Sequence, residues 1–200
     1  MGGGSGGHVT PVVAVLHELK KQNDSVVIRF WCDRTFASHA RSIIKHFDAS
    51  MSVQTIYSGK FRRYNNLSLW RQVTRPSIVL FNIRDFFLVA LGFVQSVVKL
   101  LFWRPDVIFT KGGFVCLPVG MAAKLLGIPL VIHDSDAHPG LTNRILATWA
   151  TTIATGAPLE HYSYPKNRSH YIGIPFDADF MQFTILTHVP AGKSYGLILN

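Results

Sequence analysis

Short apolar runs alternate with stretches of helical periodicity along this chain. Residues 26–32, Val-Val-Ile-Arg-Phe-Trp-Cys, form a β-rich run stopped by Asp33. Residues 52–57, 106–110, 129–133, 151–155 and 170–173 read as further strands. Between them, residues 11–22, 35–47, 116–126 and 140–149 carry helical patterns, the third closed by Gly127. Glycine is the usual residue just past a helix end because it accepts a left-handed backbone. Strands that are apolar throughout, rather than at every second position, are buried on both faces. That requires helices above and below a parallel sheet. The pattern predicts a doubly wound α/β fold, whose ligands sit at the carboxyl ends of the strands.

Residues 78–103 break this rhythm. They are strongly apolar, and their polar positions Asp85, Gln95, Ser96 and Lys99 fall on one narrow stripe at helical spacing. A bilayer-spanning helix needs about 20 predominantly apolar residues, and Gln95 and Lys99 interrupt that run. The stretch reads as a long helix lying on the sheet, with one face wide enough to touch lipid. A buried core helix and a true span are the alternatives. Lys60, Arg62, Arg63, Arg71, Arg75 and Arg84 lie close by in sequence and suit anionic head groups.

At the amino end, five glycines surround Ser5 and are followed by His8, Thr10 and Pro11. Thr10 is a candidate N-cap, and Pro11 suits the first helical position. Such a loop lets backbone N–H groups approach a phosphate, and the helix dipole favours the negative charge. The spacing lacks the G-x-G-x-x-G pattern with its acidic partner, so a dinucleotide site is not implied. A flexible linker is the other reading, but the direct run into His8 and a capped helix argues against it. A doubly wound domain enters its first glycine loop from a central strand, and here only Met1 precedes the glycines. The first strand is therefore expected to be missing. Residues 195–200 read as a strand opening a further unit.

Composition narrows the partners. The 200 residues are 48% hydrophobic and 16% charged, which fits a globular chain with a full core. The net charge of +9 suggests nucleic acid, an anionic membrane or phosphorylated substrates. No nucleic-acid-binding motif accompanies the charge, so no nucleic-acid partner is expected. Cys32 and Cys116 lie far apart in apolar settings, which gives neither a disulfide framework nor a metal spacing. With no visible signal peptide, a reducing cytoplasm is the default.

The stretch 3–11, Lys111-Gly112-Gly113-Phe114 with Pro118, residues 133–144 and residues 171–175 are four motifs that, in this order, resemble the MurG-type glycosyltransferases. Gly3-Gly4-Ser5-Gly6-Gly7-His8-Val9-Thr10-Pro11 looks like their first glycine loop, and Lys111-Gly112-Gly113-Phe114 with Pro118 like their second. Residues 133–144, His-Asp-Ser-Asp-Ala-His-Pro-Gly-Leu-Thr-Asn-Arg, look like their acceptor-domain loop and helix. Tyr171-Ile172-Gly173-Ile174-Pro175 looks like the exit toward their second domain. The resemblance implies the Rossmann-like N-terminal half of a GT-B fold. Residues 1–175 would form the acceptor-binding domain, and residues 176–200 a linker and the start of a truncated donor-binding domain.

The implied reaction transfers N-acetylglucosamine, with inversion, from UDP-N-acetylglucosamine to lipid I. That acceptor is undecaprenyl-pyrophosphoryl-MurNAc-pentapeptide. The product is lipid II of peptidoglycan synthesis, made at the cytoplasmic face of the plasma membrane by a peripheral enzyme without metal or cofactor. An in-line displacement needs a base beside the acceptor hydroxyl and stabilisation of the leaving UDP. His8 is the candidate base, since imidazole titrates near neutral pH; capping the loop or donating to a phosphate is its alternative role. Ser5, Gly6, Gly7, Gly112, Gly113, Asp136 and Asn143 are the candidate acceptor-diphosphate and donor-binding residues.

Three departures bear on specificity. Asp136 stands where the family usually has Asn at the donor sugar, so the contact can accept but not donate when ionised. Asp136 is also a second candidate base. Phe114 stands where Tyr is common, and Phe176-Asp177 where an Arg commonly follows the exit motif. The chain alone is not expected to transfer sugar, because the half that grips UDP is absent. The alternative is a non-catalytic membrane-recruiting subunit of a split N-acetylglucosaminyltransferase, partnered by a separate donor-binding half.

Overall fold

The structure is a computed structural model that describes residues 10–48, 51–60, 75–136 and 138–175. The helices are α1 (Thr10–Gln22), α2 (Ala37–Phe47), α3 (Pro76–Phe102), α4 (Cys116–Leu126) and α5 (Leu141–Leu146). The strands are β1 (Arg29–Asp33), β2 (Ser52–Ile56), β3 (Ile108–Thr110), β4 (Leu130–Asp134), β5 (Thr152–Thr155) and β6 (Ser169–Tyr171). Every pairing is parallel, in two sheets ordered β1-β2 and β3-β4-β5-β6. The doubly wound α/β class predicted from the apolar runs is the observed one.

β1 shows why its residues are apolar on both sides. Phe30 and Cys32 pack with Val12 and Leu16 of α1 and Ala40 and Ile44 of α2. Trp31 turns the other way, into a second cluster with Leu100 of α3 and Val119 of α4. Sequence and structure part mainly at element ends. Val26 and Val27 stay outside β1, Val27 being 73% exposed, because the chain first turns over Asn23, whose side chain accepts from the Ser25 N–H at 3.0 Å. Thr10 lies inside α1 rather than capping it. α5 stops at Leu146, well before Trp149.

Among the described residues, β1 is paired on one side by β2 and β3 on one side by β4. Between β1 and β3 runs a cleft of about 490 Å³. Phe30, Trp31, Ile108 and Phe109 line its sides, Val12 and Leu16 come from α1, and Leu100 and Val119 from α3 and α4.

α3 lies on β2 and α4 with its polar stripe turned inward. Gln95 donates to the Thr55 carbonyl at 3.1 Å and accepts from the Tyr57 N–H at 2.9 Å, so one amide clips the helix to the end of β2. Lys99 donates to Gln54 at 2.6 Å, and Ser96 and Asp85 are buried. The outward face is apolar: Leu80 is 71%, Phe87 65% and Leu101 64% exposed. The approach to β2 is close enough to require glycine at position 92, where an added Cβ would lie 1.9 Å from the Tyr57 carbonyl oxygen.

Candidate functional site

The carboxyl ends of β3 and β4 each release a loop that turns back into a helix. After β3, Gly112 and Gly113 take φ values of 94° and 92°, a backbone that side-chain-bearing residues rarely adopt. The turn leads into α4, where the buried Cys116 thiol donates to the Gly112 carbonyl at 2.8 Å. Burial pushes that thiol up to about 11, so it stays protonated and structural. After β4, the chain runs through Ser135 and Asp136 to α5. The Asp136 N–H donates to the Asp134 carboxylate at 3.1 Å, which holds this loop in a tight turn.

The two loops enclose a pocket of about 610 Å³. Gly112, Gly113, Asp136 and Asn143 all line it, so four of the residues expected from sequence converge on one rim. Ser5, Gly6, Gly7 and His8 lie outside the described residues. Asn143 is buried against Gly112, where an added Cβ would fall 3.2 Å from its Nδ2. Among the described residues, its Oδ1 is buried without a hydrogen-bond partner. Asp136 is exposed at the pocket edge.

Sequence reasoning missed other lining residues, Lys111 and Ser135 among them. Lys111 is only 4% exposed, and its ammonium donates to Ser135 Oγ. Burial lowers its pKa, against the opposing pull of the Asp134 and Asp136 carboxylates. The signal was a lysine at a strand end immediately before two glycines, but burial could not be read from that spacing.

A polar chain continues beneath the loop. Gly173 O can only accept, so His133 Nε2 carries the proton that it donates at 2.9 Å. Nδ1 is then free to accept from the Ser135 hydroxyl at 3.5 Å. Burial lowers the His133 pKa and keeps the ring neutral. Asp134 is buried and tied down by the Tyr164 hydroxyl, which donates to its carboxylate at 2.7 Å. Burial and that hydrogen bond push the Tyr164 pKa up. The chemistry on offer is backbone N–H groups at a helix start, one buried cation and one unsatisfied amide oxygen, a combination suited to an anion carrying hydroxyl groups.

Residues 1–155 match the glycosyltransferase family 28 N-terminal domain. The chain belongs to glycosyltransferase family 28. It is 36% identical over 177 residues to the UDP-N-acetylglucosamine--N-acetylmuramyl-(pentapeptide) pyrophosphoryl-undecaprenol N-acetylglucosamine transferase 3 of Bacillus thuringiensis (strain Al Hakam). That match covers 87% of this chain and 44% of the relative. The transferase of the same name from Treponema pallidum (strain Nichols) is 37% identical over 182 residues, covering 90% of this chain and 43% of the other. The crystal structure of Acinetobacter baumannii MurG superposes with a TM-score of 0.60 at 24% identity, over 88% of this chain and 45% of that one. That likeness shows a shared fold. The chain spans less than half the length of the curated relatives it matches.

Proposed function

We propose that this chain is the acceptor-binding half of an inverting N-acetylglucosaminyltransferase, using UDP-N-acetylglucosamine and a polyprenyl-diphosphate-linked muramyl peptide, lipid I, at the cytoplasmic face of the membrane. The observation that carries this reading is the pocket at the β3 and β4 ends, where Gly112, Gly113, Lys111 and Asn143 together suit a phosphate and a sugar hydroxyl. The relatives' activity and the outward apolar face of α3 support it. In this reading the glycine loops hold the acceptor diphosphate, with Ser5, Gly6 and Gly7 completing the cradle. His8 takes the proton from the attacking hydroxyl as the new glycosidic bond forms and UDP departs. Asp136 meets the donor sugar. Residues 176–200 lead toward the donor-binding half, and the anionic membrane surface is the remaining partner.

A chimera tests this: residues 1–175 joined to the carboxyl-terminal half of the Bacillus thuringiensis relative, assayed for labelled N-acetylglucosamine transfer to a lipid I analogue. Transfer above that of the donor half alone is expected. A second reading, a membrane-recruiting subunit without catalytic residues, is favoured by the outward apolar face of α3. It would stand if the chimera binds both substrates without turnover and His8→Ala changes nothing.

A further inference from the structure

We propose that Lys111 forms the ion pair that holds a phosphate group in the pocket beside Gly112 and Gly113. This rests on reading that pocket as the acceptor site, and adds the residue that recognises the acceptor's charge. Buried charges in folded proteins are paired, because an isolated ion away from water is costly. Lys111 is only 4% exposed, yet its ammonium meets the neutral hydroxyl of Ser135. Among the described residues, it makes no ion pair within the 4.0 Å reach of a salt bridge. Asp134, a buried carboxylate at the end of β4, accepts from Tyr164 and from the Asp136 N–H instead. Asp134 and Asp136 act on the ammonium only from beyond ion-pair distance, so among the described residues it faces the pocket with no carboxylate in direct contact.

A second observation points to the same ligand. Asn143 lines the pocket, is 5% exposed, and among the described residues finds no donor for its Oδ1. An unpaired acceptor beside an unpaired cation is filled by one molecule that carries both a negative charge and hydroxyl groups. A sugar-linked phosphate or diphosphate is that molecule. The positive φ values at Gly112 and Gly113, at the entry to the 11-residue α4, add backbone donors for the same oxygens. Asp136, exposed at the rim, is left to the sugar rather than to the phosphate.

The test is a titration of inorganic pyrophosphate into the full chain and into Lys111→Met, following the Gly112 and Gly113 amide resonances, with thermal melts of both ligand-free proteins. Wild type should respond at these amides, and Lys111→Met should bind at least about tenfold more weakly. The ligand-free variant should melt no lower than wild type, since it no longer buries an unpaired charge. The wild-type Lys111 Cε resonance should move with pyrophosphate and not with chloride at matched ionic strength. That reading stands whether or not the variant folds. Equal affinity in both proteins, or an unmoved Cε, overturns the role of Lys111 and leaves the acceptor reading intact. Silence of Gly112 and Gly113 in wild type overturns both. Displacement of pyrophosphate by a short-chain prenyl diphosphate supports the acceptor as source, and displacement by UDP-N-acetylglucosamine alone overturns it.

Discussion

At the scale of single residues, the pocket is a set of groups held ready rather than satisfied. Gly112 is the most exacting position, because both its φ of 94° and the nearby Asn143 amide oppose a side chain. Gly112→Ala should cost about 1–3 kcal/mol, read as a lowered urea midpoint. His133 brings a pH signature. Its pKa lies below the ordinary 6.5 because it is buried, so the unfolded chain takes up its proton first. Its contribution is fully present above about pH 6.5 and is lost as pH falls toward the folded pKa. Urea midpoints of wild type should fall over that window, and His133→Gln should flatten that part of the profile. In the chimera, His8→Ala should lower kcat on the order of 10²–10⁴-fold with little change in KM, since a base acts in the transition state. Asp136→Ala should instead raise the donor KM. Gly112 and Gly113 were legible because a glycine pair after a strand has few other uses. Lys111 was not, since its lack of a carboxylate partner is a property of packing between distant segments.

At the scale of elements, α3 is the unusual one. Its polar stripe was visible at helical spacing, but the sequence did not say which way the stripe faced. The structure turns it inward, where Gln95 and Lys99 find partners on β2, and leaves aromatic and aliphatic side chains outward. A helix arranged this way has its apolar face available to lipid, with Lys60, Arg75 and Arg84 among the cations near it in sequence. Changing Phe86 and Phe87, which are 60% and 65% exposed, to Ser should abolish co-sedimentation with anionic vesicles without lowering the melting temperature. Gln95→Ala should do the reverse, costing about 1–3 kcal/mol through the lost clip on β2 while vesicle binding persists. Retained vesicle binding by the Phe86 and Phe87 variant would assign membrane contact to another surface.

At the scale of the whole molecule, the alternation of apolar strands and helices was enough to reach a doubly wound parallel fold. The element ends were less legible, because Val26 and Val27 before β1 and Trp149 after α5 are apolar residues that tertiary packing leaves outside regular elements. Among the described residues, the cleft between β1 and β3 is lined by apolar side chains of both strands. An extension of about five β-branched residues there, the usual strand length, should raise the melting temperature and slow amide exchange in β1 and β3. An unchanged melt would mean that the cleft takes no strand. The central claim concerns which substrate this half holds, and hydrogen exchange at the pocket tests it most directly. The full chain is compared in nanodiscs carrying a lipid I analogue, in nanodiscs without it, and with UDP-N-acetylglucosamine added instead. Slowed exchange at Gly112, Gly113 and Asn143 with the lipid-linked diphosphate sugar alone is the expected result. Slowing by UDP-N-acetylglucosamine, with no effect of the lipid acceptor, would contradict it.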